Sequence, residues 1–406
     1  HAQPPPGAVY LAEARGIINP PLANYILRVL EEAADSDAAL VVIELDTPGG
    51  LTDSMREITQ AILASPVPVA IYVAPQGARA ASAGLFILIA GHVAAMSPST
   101  NTGAAHPVGL SGELDEVSTA KAVNDAAATL RALAVQRGRN AEWAEKAVRE
   151  SVSVSETEAL ELNVIDLVAH DLDELLAQIE GWSVETAAGD VTLSLADAPR
   201  HRASMNIAEQ FLHIIADPNI AYILLTVGSV GIIAELYSPG TFIPGTIGAF
   251  SLLLAFFALG NLPTNWAGVA FILFGIGLFV AELNIEGTGF VGVAALVAFL
   301  LGGLILFRPL RVGSPALPDL SVPPGLIAAT TGGMAGFLLA GRAGADRAGA
   351  FCRADRAGAP GFAAARARVV SGPGLVGGDA RRGNGSGRPE RPNCCRERVD
   401  PRRRTD

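Results

Sequence analysis

From residue 7 to residue 181, short apolar runs alternate with amphipathic stretches. Val9–Ala12, Leu40–Leu45 and Val69–Val73 predict strands, whereas Asn24–Ala34, Ser54–Ala64 and Ala122–Gln136 space their apolar residues as helices do. Leu85–Ala90 reads as a buried helix, Val164–Val168 as a late strand, and Ser155-Glu156-Thr157-Glu158 as a helix start of the capping-box type. Such alternation predicts an α/β domain of parallel strands and crossover helices.

The pattern changes twice beyond Gly181. Residues 182–218 form a polar linker ending in Asn206–Ala216, where Ile207, Phe211, Ile214 and Ile215 share a helical face. Such a helix suits the membrane interface or a docking site on the body, and the sequence leaves both open. Residues 219–341 then carry apolar segments at Ile220–Ala234, Gly245–Leu259, Trp266–Ala281, Phe290–Phe307 and Leu326–Ala340, with few charges between them. They predict an all-α transmembrane bundle of four to five helices, because roughly 20 apolar residues span a bilayer. Ala234-Glu235-Leu236, Gly240 and Gly245 recur 47 residues later as Ala281-Glu282-Leu283, Gly287 and Gly292, which predicts two similar hairpins.

Composition sharpens the division. The chain is 50% hydrophobic and 17% charged, with a mean hydropathy of +0.37. Its net charge of −11 conceals a tail, residues 342–406, with 15 arginines against 7 acids. The acidic body excludes a nucleic-acid-binding role, and the tail is expected to be disordered. All three cysteines, Cys352, Cys394 and Cys395, lie in it, so no disulfide framework supports the body. Residues 1–7, beginning His1-Ala2-Gln3-Pro4, read as a signal remnant and predict export. The six histidines show no metal-ligand spacing and no phosphate-binding GxxxxGK[ST] loop occurs, so neither metal nor cofactor is expected.

Two loops could carry chemistry. Asp46-Thr47-Pro48-Gly49-Gly50 follows the strand at 40–45, and its glycines let backbone N–H groups approach a developing oxyanion. Gly77-Ala78-Arg79-Ala80-Ala81-Ser82-Ala83-Gly84 surrounds one hydroxyl with small residues. Each loop taken alone is equally readable as packing or as a turn. A serine nucleophile needs a base, and only two lysines occur, Lys121 and Lys146. Lysine becomes a base when burial neutralises it, which arginine does not. Lys146 lies between Glu145 and Arg149 and reads as a surface residue. Lys121 opens a helix after the polar segment 109–119, which could fold over a cleft.

In this order, with Pro98–Ala104 between Ser82 and Lys121 and Arg137-Gly138-Arg139-Asn140 after it, the chain resembles the long-form NfeD membrane serine proteases of the ClpP/crotonase-like superfamily. The resemblance implies a Ser82–Lys121 dyad, an oxyanion hole from Gly49 or Gly50 with Ala83, and a substrate groove shaped by His106 and Pro107. A Ser82–His106–Asp triad is the mechanistic alternative. It further implies a homodimer or higher homo-oligomer, stomatin-like membrane proteins as partners, and a multi-pass protein of the cell membrane with its peptidase domain outside the cytoplasm. The competing class is a non-catalytic crotonase-like scaffold that docks partners at the membrane; an acyl-CoA enzyme is disfavoured because no carboxylate pair suits hydration. Relatives usually close with an OB-like barrel; Val369–Gly372 and Gly374–Gly377 resemble its beginning, after which the pattern dissolves into Arg-rich sequence. A reading-frame change would explain the loss, and translation of the other two frames should then reveal alternating Val/Leu strands.

Overall fold

In a computed structural model of the chain, the structure describes residues 5–107, 116–237, 240–260, 262, 264–282, 289–306, 322–337 and 339. The expectations for residues 1–4, most of segment 109–119 and the tail from 342 onward lie outside the described residues. Eleven strands are named among the described residues: β1 Val9–Arg15, β2 Leu40–Asp46, β3 Val69–Val73, β4 Arg79–Ala81, β5 Val93–Met96, β6 Asn101–Gly103, β7 Ser153–Ser155, β8 Leu167–Val168, β9 Ser183–Thr186, β10 Gly189–Thr192 and β11 Arg200–Arg202. Helices α1 Pro20–Asp35, α2 Thr52–Ala64, α3 Ala83–Ala90, α4 Glu116–Gln136, α5 Ala141–Arg149, α6 Glu156–Glu161 and α7 Leu172–Ile179 are threaded between them. Then follow α8 Ile207–Ile215, α9 Pro218–Tyr237, α10 Ile243–Gly260, α11 Trp266–Glu282 and α12 Phe290–Ile305.

The main sheet is parallel throughout, in the order β11-β1-β2-β3-β5-β8. Both faces are covered, which is why its central strands read as unbroken apolar runs. Tyr10, Val41, Ile43, Leu45, Ile71 and Met96 pack beneath α1–α4. Val9, Leu11, Val42, Ala70, Tyr72 and Val93 face α7 and the β9–β10 hairpin on the other side. A second sheet, β4-β6-β7, stands over the carboxyl ends of the main strands.

Most expected elements are present and several are longer than expected, but the late strand expected at Val164–Val168 is only Leu167–Val168, and the helix expected from Phe290 is assigned to Ile305. Asn19 caps α1 ahead of Pro20 and Pro21, and Ser155 and Glu158 form the expected capping box on α6. The largest shift is at α4, which begins at Glu116, so Lys121 lies more than a turn inside the helix instead of at its head. Arg139 is the principal buried cation of the domain. Its guanidinium donates to the Ile89 and Gly91 carbonyls and grips both oxygens of Asp166 at 3.2 and 2.6 Å, tying the end of α3 to the approach to β8.

The helical region consists of two hairpins, α9–α10 and α11–α12. Helices α9 and α10 are long and apolar enough to cross a membrane, while α11 and α12 are shorter apolar helices. Residues 324–337 are also helical. The 47-residue echo now has a physical cause. Glu235 accepts hydrogen bonds from the Gly240, Phe242 and Gly245 N–H groups, and Glu282 accepts one from Gly292. Each carboxylate thus satisfies amides at the start of the returning helix, where no intrahelical acceptor exists.

Replacing Arg139 with alanine removes the cation from Asp166, which keeps the Ala94 N–H, and the guanidinium donor from the Ile89 and Gly91 carbonyls. Unfolding of the full chain by denaturant should show a loss of about 3–5 kcal/mol, whereas Arg131→Ala, at an exposed pair with Glu145, should cost well under about 1 kcal/mol.

Candidate active site

The two loops singled out in the sequence are joined by the main chain. Thr47 donates its N–H to the Arg79 carbonyl at 2.7 Å, and Ala81 donates to the Thr47 carbonyl at 3.1 Å. Asp46 adds a carboxylate bond to the Arg79 N–H. Strand β4 is therefore an extension of the β2 exit loop, and Ser82 follows it directly. From the other side the Ser82 N–H donates to Gly103 at the end of β6, and the Thr102 hydroxyl donates to Ala80.

These ties hold Ser82 at φ 52°, ψ −114°, immediately before α3. A side chain in that region costs on the order of 1–3 kcal/mol. Its hydroxyl does not cap the helix; it is partly exposed and lies on the wall of a cavity of about 180 Å³. Gly50, Met55, Phe86, Ala105, Pro107 and Ala126 line the same cavity, and Arg56 and Asp125 form an ion pair there between α2 and α4.

The glycine pair divides its work. A Cβ on Gly49 would stand 2.8 Å from Ser82 Cβ and the residue has φ 126°, so only glycine lets the loop lie against the serine. Its N–H is already taken by the Thr47 hydroxyl at 3.0 Å. Gly50 is pressed against Ile18, whose carbonyl would be 2.1 Å from a Cβ there. Ile18 donates to the Gly49 carbonyl and accepts from Leu51, bracketing Gly50. Neighbouring Ile17 packs against the apolar cluster of the helical region. Among the described residues, the Gly50 and Ala83 N–H groups have no acceptor, and both residues line the cavity with Ser82. Ala83 also opens α3, where the helix dipole favours negative charge.

The remaining expected residues are placed unevenly. Pro107 is on the cavity wall. His106 is not; its Nδ1 donates to the Val148 carbonyl at 2.9 Å, so a main-chain oxygen and not a carboxylate orients the ring. Lys146 is a surface residue as expected, paired with Glu142 at 2.8 Å. Lys121 departs from expectation, because it is exposed where burial was expected. It precedes Ala122, which lines the cavity, and forms no ion pair with a described residue. Its stripe of α4 also exposes Asn124 and Asp125, which is the reason it faces solvent. Sequence reasoning quoted Thr47 and Gly103 only as members of motifs and passed over Ile18; the long-range main-chain bonds of all three, and the Thr47 hydroxyl bond to the Gly49 N–H, carry no local signature. Among the described residues no cluster of His, Cys, Asp or Glu suits a metal.

Comparison with known proteins places these residues in context. Residues 8–181 match the model of the NfeD1b N-terminal domain, and residues 219–341 match that of the NfeD integral membrane domain. The membrane-bound protease PH1510 of Pyrococcus horikoshii is 36% identical over 304 residues, covering 74% of this chain and 69% of its own length. Membrane protein NfeD1b of Bacillus subtilis is 30% identical over 301 residues, covering 72% and 66%. Among solved structures, the 1510-N membrane-bound stomatin-specific protease, with a lysine replaced by alanine and a substrate peptide bound, is 33% identical with a TM-score of 0.48, covering 52% of this chain and 98% of that one. Its serine-to-alanine form is 34% identical with a TM-score of 0.47, covering 50% and 99%. ClpP1 from Listeria monocytogenes is 19% identical with a TM-score of 0.35, covering 41% and 94%.

The backbone strain at Ser82 is directly measurable. Ser82→Gly relieves it and should raise unfolding stability by about 1 kcal/mol, while Ser82→Ala, which keeps a Cβ at the same φ, should leave stability unchanged within roughly 0.5 kcal/mol.

Proposed function

The chain belongs to the NfeD family of membrane proteins, and from that premise we propose that its amino-terminal domain is a serine endopeptidase working through Ser82 and Lys121. The observation that carries the reading is the strained Ser82 at the start of α3, sharing a cavity wall with two unengaged N–H donors. Strain that only long-range bonds maintain is characteristic of reactive groups.

On this reading the Ser82 oxygen attacks a peptide carbonyl while the Lys121 amine, in its neutral form, takes the hydroxyl proton. The carbonyl oxygen gains negative charge between the Gly50 and Ala83 N–H groups. Gly49 supplies the close approach, because its own N–H is engaged by Thr47. Each donor is worth about 3 kcal/mol of barrier. Lys121 then returns the proton to the departing amine, leaving an acyl group on Ser82 that water releases. Since Lys121 is exposed in the free protein, its desolvation falls to the substrate laid across the cavity mouth beside Ala122.

Substrate preference follows from the walls. Met55, Phe86, Ala105, Pro107 and Ala126 favour an apolar side chain, with His106 holding the segment that presents Pro107. Apolar stretches of membrane-associated proteins fit such a site. The substrate-bound 1510-N relative is described as stomatin-specific, and two of its solved forms replace a serine or a lysine, the two residue types in the proposed roles. A stomatin-like protein is accordingly the proposed partner. The proposed setting is a homodimer or higher homo-oligomer, multi-pass in the cell membrane, with the peptidase domain outside the cytoplasm.

The test is cleavage of a quenched fluorescent peptide with an apolar core by the full chain in detergent. Ser82→Ala and Lys121→Ala should each lower kcat/KM by at least about a thousandfold, and a fluorophosphonate should label wild type but not Ser82→Ala. His106→Ala should retain activity within about tenfold. Unchanged cleavage by Ser82→Ala would exclude Ser82 as the nucleophile, and wild type that neither cleaves nor takes the fluorophosphonate would favour a docking scaffold; loss with His106→Ala but not Lys121→Ala would transfer the base role to the histidine.

A further inference from the structure

Helix α8, Ile207–Ile215, lies between the two family matches, and its amphipathic pattern is turned inside out. A helix on a soluble protein buries its apolar stripe and exposes its polar one. Here the polar side is the docked one. Glu209 meets Arg28 of α1 through both carboxylate oxygens, at 2.6 and 2.7 Å, and also closes a capping box with Asn206. His213 turns the same way, its Nδ1 buried without a hydrogen-bond partner among the described residues.

On the opposite side Ile207 is 88% exposed, and Phe211 and Ile214 are each 50% exposed. Their spacing of four and three residues puts them on one face. Ile215, the last residue of the helix, is instead buried in the apolar cluster of the helical region, and α9 begins three residues later at Pro218. The outward apolar face is thus continuous in sequence with the first membrane-length helix, while Arg28 anchors its back to the α/β domain.

We propose that α8 is an interfacial helix whose Ile207, Phe211 and Ile214 insert into the headgroup–acyl boundary of the bilayer that α9 enters. The occupant is lipid. The described residues leave Ile207 almost bare and Phe211 and Ile214 half uncovered, and the medium adjoining the start of a membrane-length helix that rewards burial of isoleucine and phenylalanine is the membrane itself. The helix has no lysine or arginine, so insertion rests on apolar area and not on attraction to anionic headgroups. It sets the standing height of the α/β domain above the bilayer, independently of whether that domain is a peptidase.

The test is site-directed spin labelling of the full chain, one copy per nanodisc, with Cys352, Cys394 and Cys395 replaced by serine. Nitroxides are placed singly at Ile207→Cys, Phe211→Cys and Ile214→Cys, with Glu185→Cys on the exposed hairpin as the aqueous reference. Oxygen should reach the three α8 labels while a water-soluble nickel chelate does not, at a depth of about 5–10 Å, and equally in phosphatidylcholine and in phosphatidylcholine–phosphatidylglycerol discs. Nickel access to 211 and 214 would overturn the proposal. Exclusion of both reagents would do so as well, since it means that protein covers the face. A depth that appears only with phosphatidylglycerol would refute the apolar mechanism. The same readings are expected from Ser82→Ala protein, which separates this outcome from that of the cleavage assay.

Discussion

The hydrogen bonds between Thr47 and β4 are the constraint on which the site depends. They convert a loop after β2 and a three-residue strand into one rigid ledge, and they leave Ser82 at the ledge's end with nowhere else to go. Gly103 on β6 closes the arrangement from the far side. None of these contacts involves the serine side chain. The hydroxyl is consequently free for chemistry while its backbone is over-determined, which separates the group that reacts from the groups that hold it.

How much of this was legible in the sequence depended on how local each cause was. Leu40–Leu45 and Val69–Val73 were readable because a strand covered on both faces must be apolar at every position. The three-residue strands β4, β6 and β7 were not, since three residues hold too little alternation to distinguish a strand from a loop. Ser82 could be suspected from its small neighbours, but its positive φ is imposed by partners up to 35 residues away in sequence, between Thr47 and Ser82. Lys121 shows the opposite error. Rarity of lysine marked it out, yet Asn124 and Asp125 nearby already described a wet stripe of α4, and a buried amine does not belong on such a stripe.

The helical region obeys a different solvent. Its two hairpins repeat one solution to the problem of starting a helix where water is scarce: a glutamate at the end of one helix reaches across to the unfilled amides of the next. In the aqueous domain the same task falls to Asn19, Asn140, Ser155 and Asp171, each capping its own helix from the adjacent position. Glu235 and Glu282 thus have a structural task in apolar sequence, and the echo at 47 residues is the trace of that shared geometry.

Ile17 and Ile18 bring the two regions within one peptide bond of each other. The first rests on the helical bundle, and the second brackets Gly50 with a bond on either side. A single dipeptide thereby joins the surface of the helical region to the loop that lies against Ser82.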